Sequence, residues 1–362
     1  MKRILISIII TAILLCNTIA VSYAESRLDM VIKDTADYLF NTVKAPVVSS
    51  IGGEWAIIGL SRSGADVSSE YFENYYNNVK KYVEDKNGAL HNRKYTEYSR
   101  VALALTAIGK NPLDVAGYNL LMPLGDFEKT IWQGINGPVW ALIALDSNNY
   151  DIPENTHATV QATREMYVSY ILDTQNADGG WSLSKSFTVS DIDVTAMVLQ
   201  ALSKYKDSEE VKTATERGFH MLSIRQNENG GFGSSCESSA QVLTAMCENG
   251  VAYNSPPFIK NSKTVLDDIL SYYTGEGFKH TQTGKVNQMA TEQAFYSLVA
   301  LKRYNQGKPG LYTMTDATKA LAFPVKKSII IEKSYGLLTR KYMKREEIAK
   351  MIFNLFEGVE NN

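Results

Sequence analysis

The strongest constraint on the fold of this chain is a short segment that occurs twice. Gln175–Trp181 reads QNADGGW, and Gln226–Phe232 reads QNENGGF, so the segment recurs after about 50 residues. An apolar stretch with helical spacing follows each copy, DIDVTAMVLQAL from Asp191 and CESSAQVLTAM from Cys236. Recurrence at this period is typical of repeat architectures, in which each unit buries its apolar face against the next. The sequence therefore predicts stacked copies of one helical unit.

The predicted unit consists of an outer helix, a glycine-rich turn and an inner helix. A third copy has an outer helix from Val265 to Tyr273, a GEGF turn at Gly275 and an inner segment, ATEQAFYSLVAL, from Ala290. Weaker copies occupy the first half, with an irregular outer element at residues 114–133. The inner segments are apolar on nearly all sides, which indicates helices buried on both flanks. We predict an all-α fold of about six inner and six outer helices, in which the inner set encloses a central cavity.

The amino terminus has the pattern of a secretory signal peptide. Lys2 and Arg3 precede an apolar run from Ile4 to Leu15, and the segment ends in small residues before Ala24. The run is too short to span a bilayer, so we expect cleavage after Ala24 and no membrane anchor in the mature protein. We divide the chain into a signal peptide (1–24), a repeat domain (25–316) and a tail (317–362). The predicted location is extracellular or at the cell surface.

The tail differs in character from the repeats. From Thr339 the sequence TRKYMKREEIAKMIFNLF reads as an amphipathic helix. Its REEIAKMI run resembles the end of an S-layer-homology module, which implies association with a cell wall. A packing helix is the alternative interpretation, and a pattern this short matches by chance.

Composition excludes several functions. The formal net charge is −2 and no Lys/Arg stripe is present, which argues against nucleic-acid binding. Cys236 and Cys247 are separated by about 16 Å of rise if they share one helix, so we predict no disulfide between them. No Cys or His spacing indicates a metal site, and we predict neither a metal nor a cofactor.

The glycine-rich turns, the arginines that precede them (Arg164 and Arg217) and the segment Asp191–Ala196 together resemble the prenyltransferase and squalene-cyclase repeat superfamily. The turns are similar to the QW motif of that family. The chain is most similar to exported Firmicutes-type repeat proteins without an assigned function. The resemblance covers roughly Leu28 to Asp316, and it implies an α/α toroid. It does not specify an activity, because one fold hosts many functions.

The resemblance implies one catalytic hypothesis. Class II terpene cyclases protonate an alkene or epoxide with the middle Asp of an Asp-x-Asp-Asp-Thr-Ala motif. Here Asp191 and Asp193 match the first two acids, and Val194 replaces the last. If the chain is an enzyme, the resemblance makes Asp193 the proton donor, assisted by Asp191. Protein prenyltransferases, the other enzymatic relatives, need a zinc site whose ligand pattern is absent here.

Alignment of the inner helices places Asp193, Glu237 and Glu292 at one position, so we expect these acids to converge on the cavity. The other residues predicted at the ligand site are Glu54, Trp55, Tyr95, Glu97, Tyr98, Arg100, Gln133, Asn136, Thr195, Gln241 and Gln293.

Three alternatives concern these residues. Ser190 and Ser234 stand three residues before Asp193 and Glu237, a capping-box spacing that would explain both acids locally. Arg100 would either hold an anionic group of a ligand or neutralise a cavity acid such as Glu97. Four tryptophans would either stack on sugars or pack in the core: Trp55, Trp132, Trp140 and Trp181.

The leading prediction is an exported toroid that binds an unknown small molecule or glycan in a polar, acid-rich cavity. The second is class II cyclase-like catalysis by Asp193. The third is a glycan-active or structural protein of the cell surface.

Overall fold

The computed structural model describes residues 26–317. The predicted signal peptide and nearly all of the predicted tail lie outside these residues. The helices in chain order are α1 (residues 26–42), α2 (Trp55–Ser63), α3 (Ser69–Asp85), α4 (Thr96–Ala107), α5 (Phe127–Thr130), α6 (Asn136–Asp146), α7 (Arg164–Leu172), α8 (Ile192–Leu202), α9 (Glu209–Arg225), α10 (Cys236–Asn249), α11 (Val265–Ser271) and α12 (Gln288–Asn305). Between residues 26 and 317 the chain forms isolated bridges but no β-strand.

The even-numbered helices form a closed ring. Each packs against the next along the chain, from α2 through α4, α6, α8 and α10 to α12, and α12 packs against α2. The odd-numbered helices lie outside, and α7, α9 and α11 contact α6, α8 and α10 respectively. The fold is therefore the predicted α/α toroid of six inner and six outer helices.

The two sets of helices differ as their sequences require. In α6 every residue from Gly137 to Leu145 is buried, and Pro138 lies in the first turn, where its missing N–H costs no hydrogen bond. In α3 the buried residues are Tyr71, Tyr75, Val79 and Val83, spaced by four. An outer helix therefore buries one stripe and an inner helix buries all sides.

Glycines in the repeated turn allow a backbone that other residues resist. Gly179 has a φ of +95° and Gly230, its equivalent, a φ of +87°. At Gly180 an added Cβ would lie 2.3 Å from Met221 and 2.7 Å from Ser190. The first glycine supplies the left-handed conformation and the second the close approach of neighbouring elements.

The glutamine and tryptophan of the turn are structural. Gln175 donates through Nε2 to the carbonyls of Gly179, in its own turn, and Ala214, in the next outer helix. The indole N–H of Trp181 donates to the carbonyl of Ile171 at 2.8 Å, and the ring is fully buried. The turn thus fixes one repeat to the next, and Trp181 packs in the core.

A hydroxyl on each inner helix fixes the register of the last three repeats. The aromatic residue of the turn donates its backbone N–H to that hydroxyl at 2.9 Å in all three. The pairs are Trp181 with Thr195, Phe232 with Ser239, and Phe278 with Thr291. Our alignment of Glu292 with Asp193 and Glu237 was therefore wrong, and Met289 is their equivalent. The loop between turn and helix differs in length among the repeats, so matching acids could not fix the register.

The helix caps also differ from the prediction. Asp191 caps α8 by accepting from the Val194 N–H, Ser235 caps α10 and Asn287 caps α12. Each cap lies four residues before the hydroxyl that accepts the backbone N–H of the turn, which we call the bracing hydroxyl (Thr195, Ser239 or Thr291). One register therefore describes all three helices. The capping boxes expected from Ser190 and Ser234 do not form, because each helix begins one residue later than those serines require.

Two further expectations concern the described residues. Cys236 and Cys247 both lie in α10, buried and unpaired, so the prediction that they form no disulfide is confirmed. Within residues 26–317, none of the helices combines the length and the apolar character needed to cross a membrane.

Candidate functional site

All six inner helices contribute to a cavity of about 210 Å³ at the centre of the ring. The lining residues are Trp55, Thr96, Arg100, Asn136, Trp140, Met197, Gln241, Gln293 and Tyr296. Met197, Gln241 and Gln293 each lie two residues after a bracing hydroxyl, so the repeat places one side chain from every later copy in the wall. Arg100 is the one charged residue in this set.

One side of the cavity is aromatic. The ring centroids of Trp55 and Trp140 lie 5.1 Å apart at an interplanar angle of 51°. Trp55 also contacts Tyr296, with centroids 5.8 Å apart. Tyr312 is buried and packs edge-on against Trp140, with ring centroids 6.0 Å apart. These rings form a rigid apolar surface that a ligand can contact without ordering flexible side chains.

Two amide side chains that line the cavity, Gln241 and Gln293, belong to a chain of hydrogen bonds. Gln200 donates to the side-chain and backbone oxygens of Gln241, both at 3.1 Å. Gln241 then donates to Gln293 at 3.1 Å and to the Tyr296 hydroxyl at 2.7 Å. This chain of hydrogen bonds crosses α8, α10 and α12 and holds the two cavity glutamines in fixed orientations.

Arg100 is held between two carboxylates. Its Nε donates to Glu54 Oε2 at 2.7 Å, and its Nη2 forms an ion pair with Glu97. Glu54 is fully buried and also accepts from the Tyr75 hydroxyl at 3.1 Å. Arg100 thus neutralises Glu54 and Glu97 beside the cavity, the second of its two predicted roles.

Two buried acids on this side of the ring resist ionisation. Burial raises the pKa of Glu54 to about 7, although Arg100 and Tyr75 stabilise its charged form. Burial also raises the pKa of Glu292 to about 7, and the nearby Glu54 charge adds to the increase. A carboxyl group with a pKa near neutrality exchanges protons under physiological conditions.

A second group of acids lies near α8 and α10. Burial raises the pKa of Asp193, against a hydrogen bond from Ser238, and the charges of Asp191 and Glu237 add to the increase. Glu237 is buried and pairs with Nδ1 of His280 at 2.8 Å. The three acids expected to converge thus form two groups, because Glu292 faces Glu54 and Gly52 rather than Asp193.

The structure gives the remaining predicted residues packing or capping contacts. Tyr95 and Tyr98 are buried and stack edge to face, with centroids 5.4 Å apart. Gln133 accepts the backbone N–H of Thr96. Thr195 is fully buried and braces the turn, so it does not line the cavity.

Five predicted residues line the cavity: Trp55, Arg100, Asn136, Gln241 and Gln293. The predicted ligand site did not include four others, Thr96, Trp140, Met197 and Tyr296. Trp140 was considered only as a tryptophan that would either stack on a sugar or pack in the core. Met197 would have been found from the correct register, because it is the repeat equivalent of Gln241 and Gln293. Trp140 and Tyr296 carry no such signal, since an aromatic residue within an apolar inner helix reads as core.

A segment that follows α12 crosses the other end of the inner helices. Met314 donates its N–H to the carbonyl of Ser147 at 2.6 Å, and Leu311 donates to Glu248 at 2.6 Å. Arg303 donates to the carbonyl of Pro309 at 2.8 Å. The segment therefore binds the carboxyl-terminal ends of α6, α10 and α12, whereas the lining residues Trp55, Thr96 and Asn136 are the first residues of their helices.

Comparison with known proteins supports this description of the fold. The family described as "Squalene-hopene cyclase C-terminal domain" matches residues 135–256. Among solved structures, protein geranylgeranyltransferase-I of Candida albicans, complexed with GGPP, matches with a TM-score of 0.52 and 12% identity, over 80% of this chain and 98% of that one. Curated protein sequences include no match to the chain.

Proposed function

We propose that this α/α toroid, which is similar over residues 135–256 to the squalene-hopene cyclase C-terminal domain, binds a small polar molecule in the central cavity. The observation that carries the proposal is the convergence of all six inner helices on one lined cavity. A ring that served only as a scaffold would fill its centre with apolar side chains, because polar groups cost free energy when buried. Here the centre holds an arginine and three amides.

The cavity does not favour a polyprenyl substrate. Its volume of about 210 Å³ is below the roughly 300–1,000 Å³ of pockets that enclose drug-sized ligands. Asp193, the acid that the class II hypothesis requires, is not among the lining residues, whereas Met197, one turn further along α8, is. The geometry therefore supports binding of a small polar ligand over cyclisation of a long hydrocarbon.

The binding proposal is tested with the purified chain and its Gln293→Ala variant. Native mass spectrometry after exposure to culture medium should detect a small molecule on the wild-type chain and lose it from the variant. Gln282→Ala is the matched control, because Gln282 is exposed and lies outside the cavity. If the wild-type chain retains no molecule, or if both variants retain it equally, the proposal fails.

We propose in addition that the protein acts outside the cell. The support is the sequence pattern of residues 1–24, in which a charged start, a short apolar run and small residues before Ala24 are typical of a secretory signal peptide. Expression in the source cells, fractionation and amino-terminal sequencing test this. Recovery of the chain from the medium or cell surface with Glu25 as its first residue supports the proposal, and an intact Met1 terminus in the cytosol contradicts it.

A further inference from the structure

The cavity presents hydrogen-bonding groups that the protein itself does not use. Asn136 Oδ1 is buried without a partner in the described part of the chain. The amide Nε2 of Gln293 and the Nη1 of Arg100 likewise have no acceptor among residues 26–317, although their neighbouring atoms are bound. The free groups thus comprise an acceptor and several donors, placed on α4, α6 and α12 around one space.

These groups stand beside the aromatic surface of Trp55 and Trp140. The two rings are tilted by 51°, so they do not form the parallel slot that a flat nucleobase would need. A hydrocarbon would leave the free amides unpaired, at a cost of about 1–3 kcal/mol for each buried group. A ligand must therefore offer an apolar face to the rings and polar groups around its edge.

Charge narrows the class of ligand further. Arg100 is the one charged residue among the described lining residues, and its ion pairs with Glu54 and Glu97 already offset its charge. The described lining therefore offers a free counter-ion to neither a cation nor an anion, which favours a neutral ligand.

We infer that the ligand is a saccharide, with one sugar ring stacked on Trp55 and Trp140 and its hydroxyl groups bonded to Asn136, Gln293 and Arg100. Each sugar hydroxyl donates and accepts, which matches a wall of amides that offers both functions. The C–H faces of the ring supply the apolar surface. The inference rests on the proposed function, and it names the chemical class of the molecule bound.

The volume sets the size of the bound unit. At about 210 Å³ the cavity is smaller than the roughly 300–1,000 Å³ pockets that enclose drug-sized ligands, so we expect it to take one sugar ring rather than a chain. Because Trp55, Thr96 and Asn136 are the first residues of their helices, we expect a longer glycan to place its terminal unit inside and to leave the ring at this end.

The experiment is ligand-observed NMR and calorimetry of the purified chain against hexoses, N-acetylhexosamines and their disaccharides. Choline, succinate and adenosine represent the cation, anion and nucleobase classes. We expect at least one saccharide to bind, to change tryptophan fluorescence, and to lose at least tenfold in affinity in Gln293→Ala. Trp140→Phe, which keeps a ring, should weaken binding less than Trp140→Ala.

Trp132→Ala is the matched tryptophan control. Trp132 is 62% exposed and lies outside the cavity, so its loss should leave affinity unchanged. If native mass spectrometry finds a cavity ligand that is not a saccharide, and no saccharide binds, the inference fails while the proposed function stands. If the chain retains no ligand of any class, both fail.

Discussion

Gly52 donates its backbone N–H to Glu292 Oε1 at 2.8 Å, and this bond joins residues that are 240 positions apart in the sequence. It connects the segment before α2 with α12, where the ring of inner helices closes. Gln288 donates to the same oxygen at 2.7 Å, whereas Glu292 Oε2 is buried without a partner in the described residues. An unpaired buried oxygen favours the protonated carboxyl group, because the neutral form loses less solvation on burial.

We expect the ionisation of Glu292, which lies where the ring of inner helices closes, to make stability depend on pH. Burial raises the pKa of Glu292 from 4.5 to about 7, so the folded state binds this proton more tightly than the unfolded state does. The contribution of Glu292 to stability is therefore fully present below about pH 4.5 and is lost as the pH rises through 7. At about 1.4 kcal/mol for each pKa unit, the loss is on the order of 3 kcal/mol.

The Glu292→Gln variant has no ionisable group at this position, but it keeps a side-chain oxygen that can accept the Gly52 N–H. Urea unfolding at pH 4, 6 and 8 should show that the variant gains stability relative to the wild type as pH rises. Glu276→Gln, at an exposed position, is the control and should follow the wild-type profile. Parallel profiles for Glu292→Gln and the wild type would contradict the assignment.

The hydrogen bond from the Trp181 backbone N–H to the Thr195 hydroxyl leads to a second prediction. Thr195→Val leaves the backbone N–H of Trp181 buried without its acceptor, which costs about 1–3 kcal/mol. Thr195→Ser keeps the hydroxyl and should recover most of the hydrogen-bond contribution. Thermal and urea unfolding measure the difference, and equal losses for valine and serine would show that the bond contributes little.

The repeated turn made the fold predictable, because the features that define it are local. The glycines of the turn, the apolar inner segments and the spaced apolar residues of the outer helices each report the structure of their own segment. They were sufficient for six inner and six outer helices and for the irregular element near Asp126, where the structure has short helical segments at Met122–Gly125, Phe127–Thr130 and Ile131–Gln133.

The cavity was less predictable, because its lining depends on register between repeats. Glu292 was aligned by its charge, yet the Phe278–Thr291 bond shows that Gln293 is the position equivalent to Gln241. Trp140 lies in a segment that is apolar throughout, so the local pattern predicts a core residue. It lines the cavity because the inner helices close into a ring. Register and closure are long-range properties that the local pattern does not contain.

A third prediction separates ligand binding from cyclisation. We expect wild type and Asp193→Asn to give the same result, no cyclised product, with squalene and shorter polyprenyl substrates. The cavity is too small and Asp193 does not line it. Glu276→Gln, at an exposed position far in sequence from both acids, is the control. Product formed by the wild type and by Glu276→Gln, and lost in Asp193→Asn, would establish Asp193 as an acid catalyst.

The fourth prediction concerns the segment that closes the other end of the ring. Asp316 accepts from Arg62 at 2.6 Å and from Arg303 at 2.5 Å, and both arginines are buried. The Asp316 side chain is 38% exposed, and both arginines also donate to backbone carbonyls, so Asp316→Ala should lower the free energy of unfolding by about 1–3 kcal/mol. Asp29→Ala is the control: it removes the Lys302–Asp29 pair, in which the Asp29 side chain is 57% exposed, and should cost less than about 1 kcal/mol. Urea unfolding measures both variants.

Since Tyr312 of the same segment packs on Trp140, Asp316→Ala should also weaken ligand binding, whereas Asp29→Ala should not. A stable Asp316→Ala variant with unchanged unfolding would show that the segment is held by its backbone bonds to Ser147 and Glu248 rather than by this ion pair.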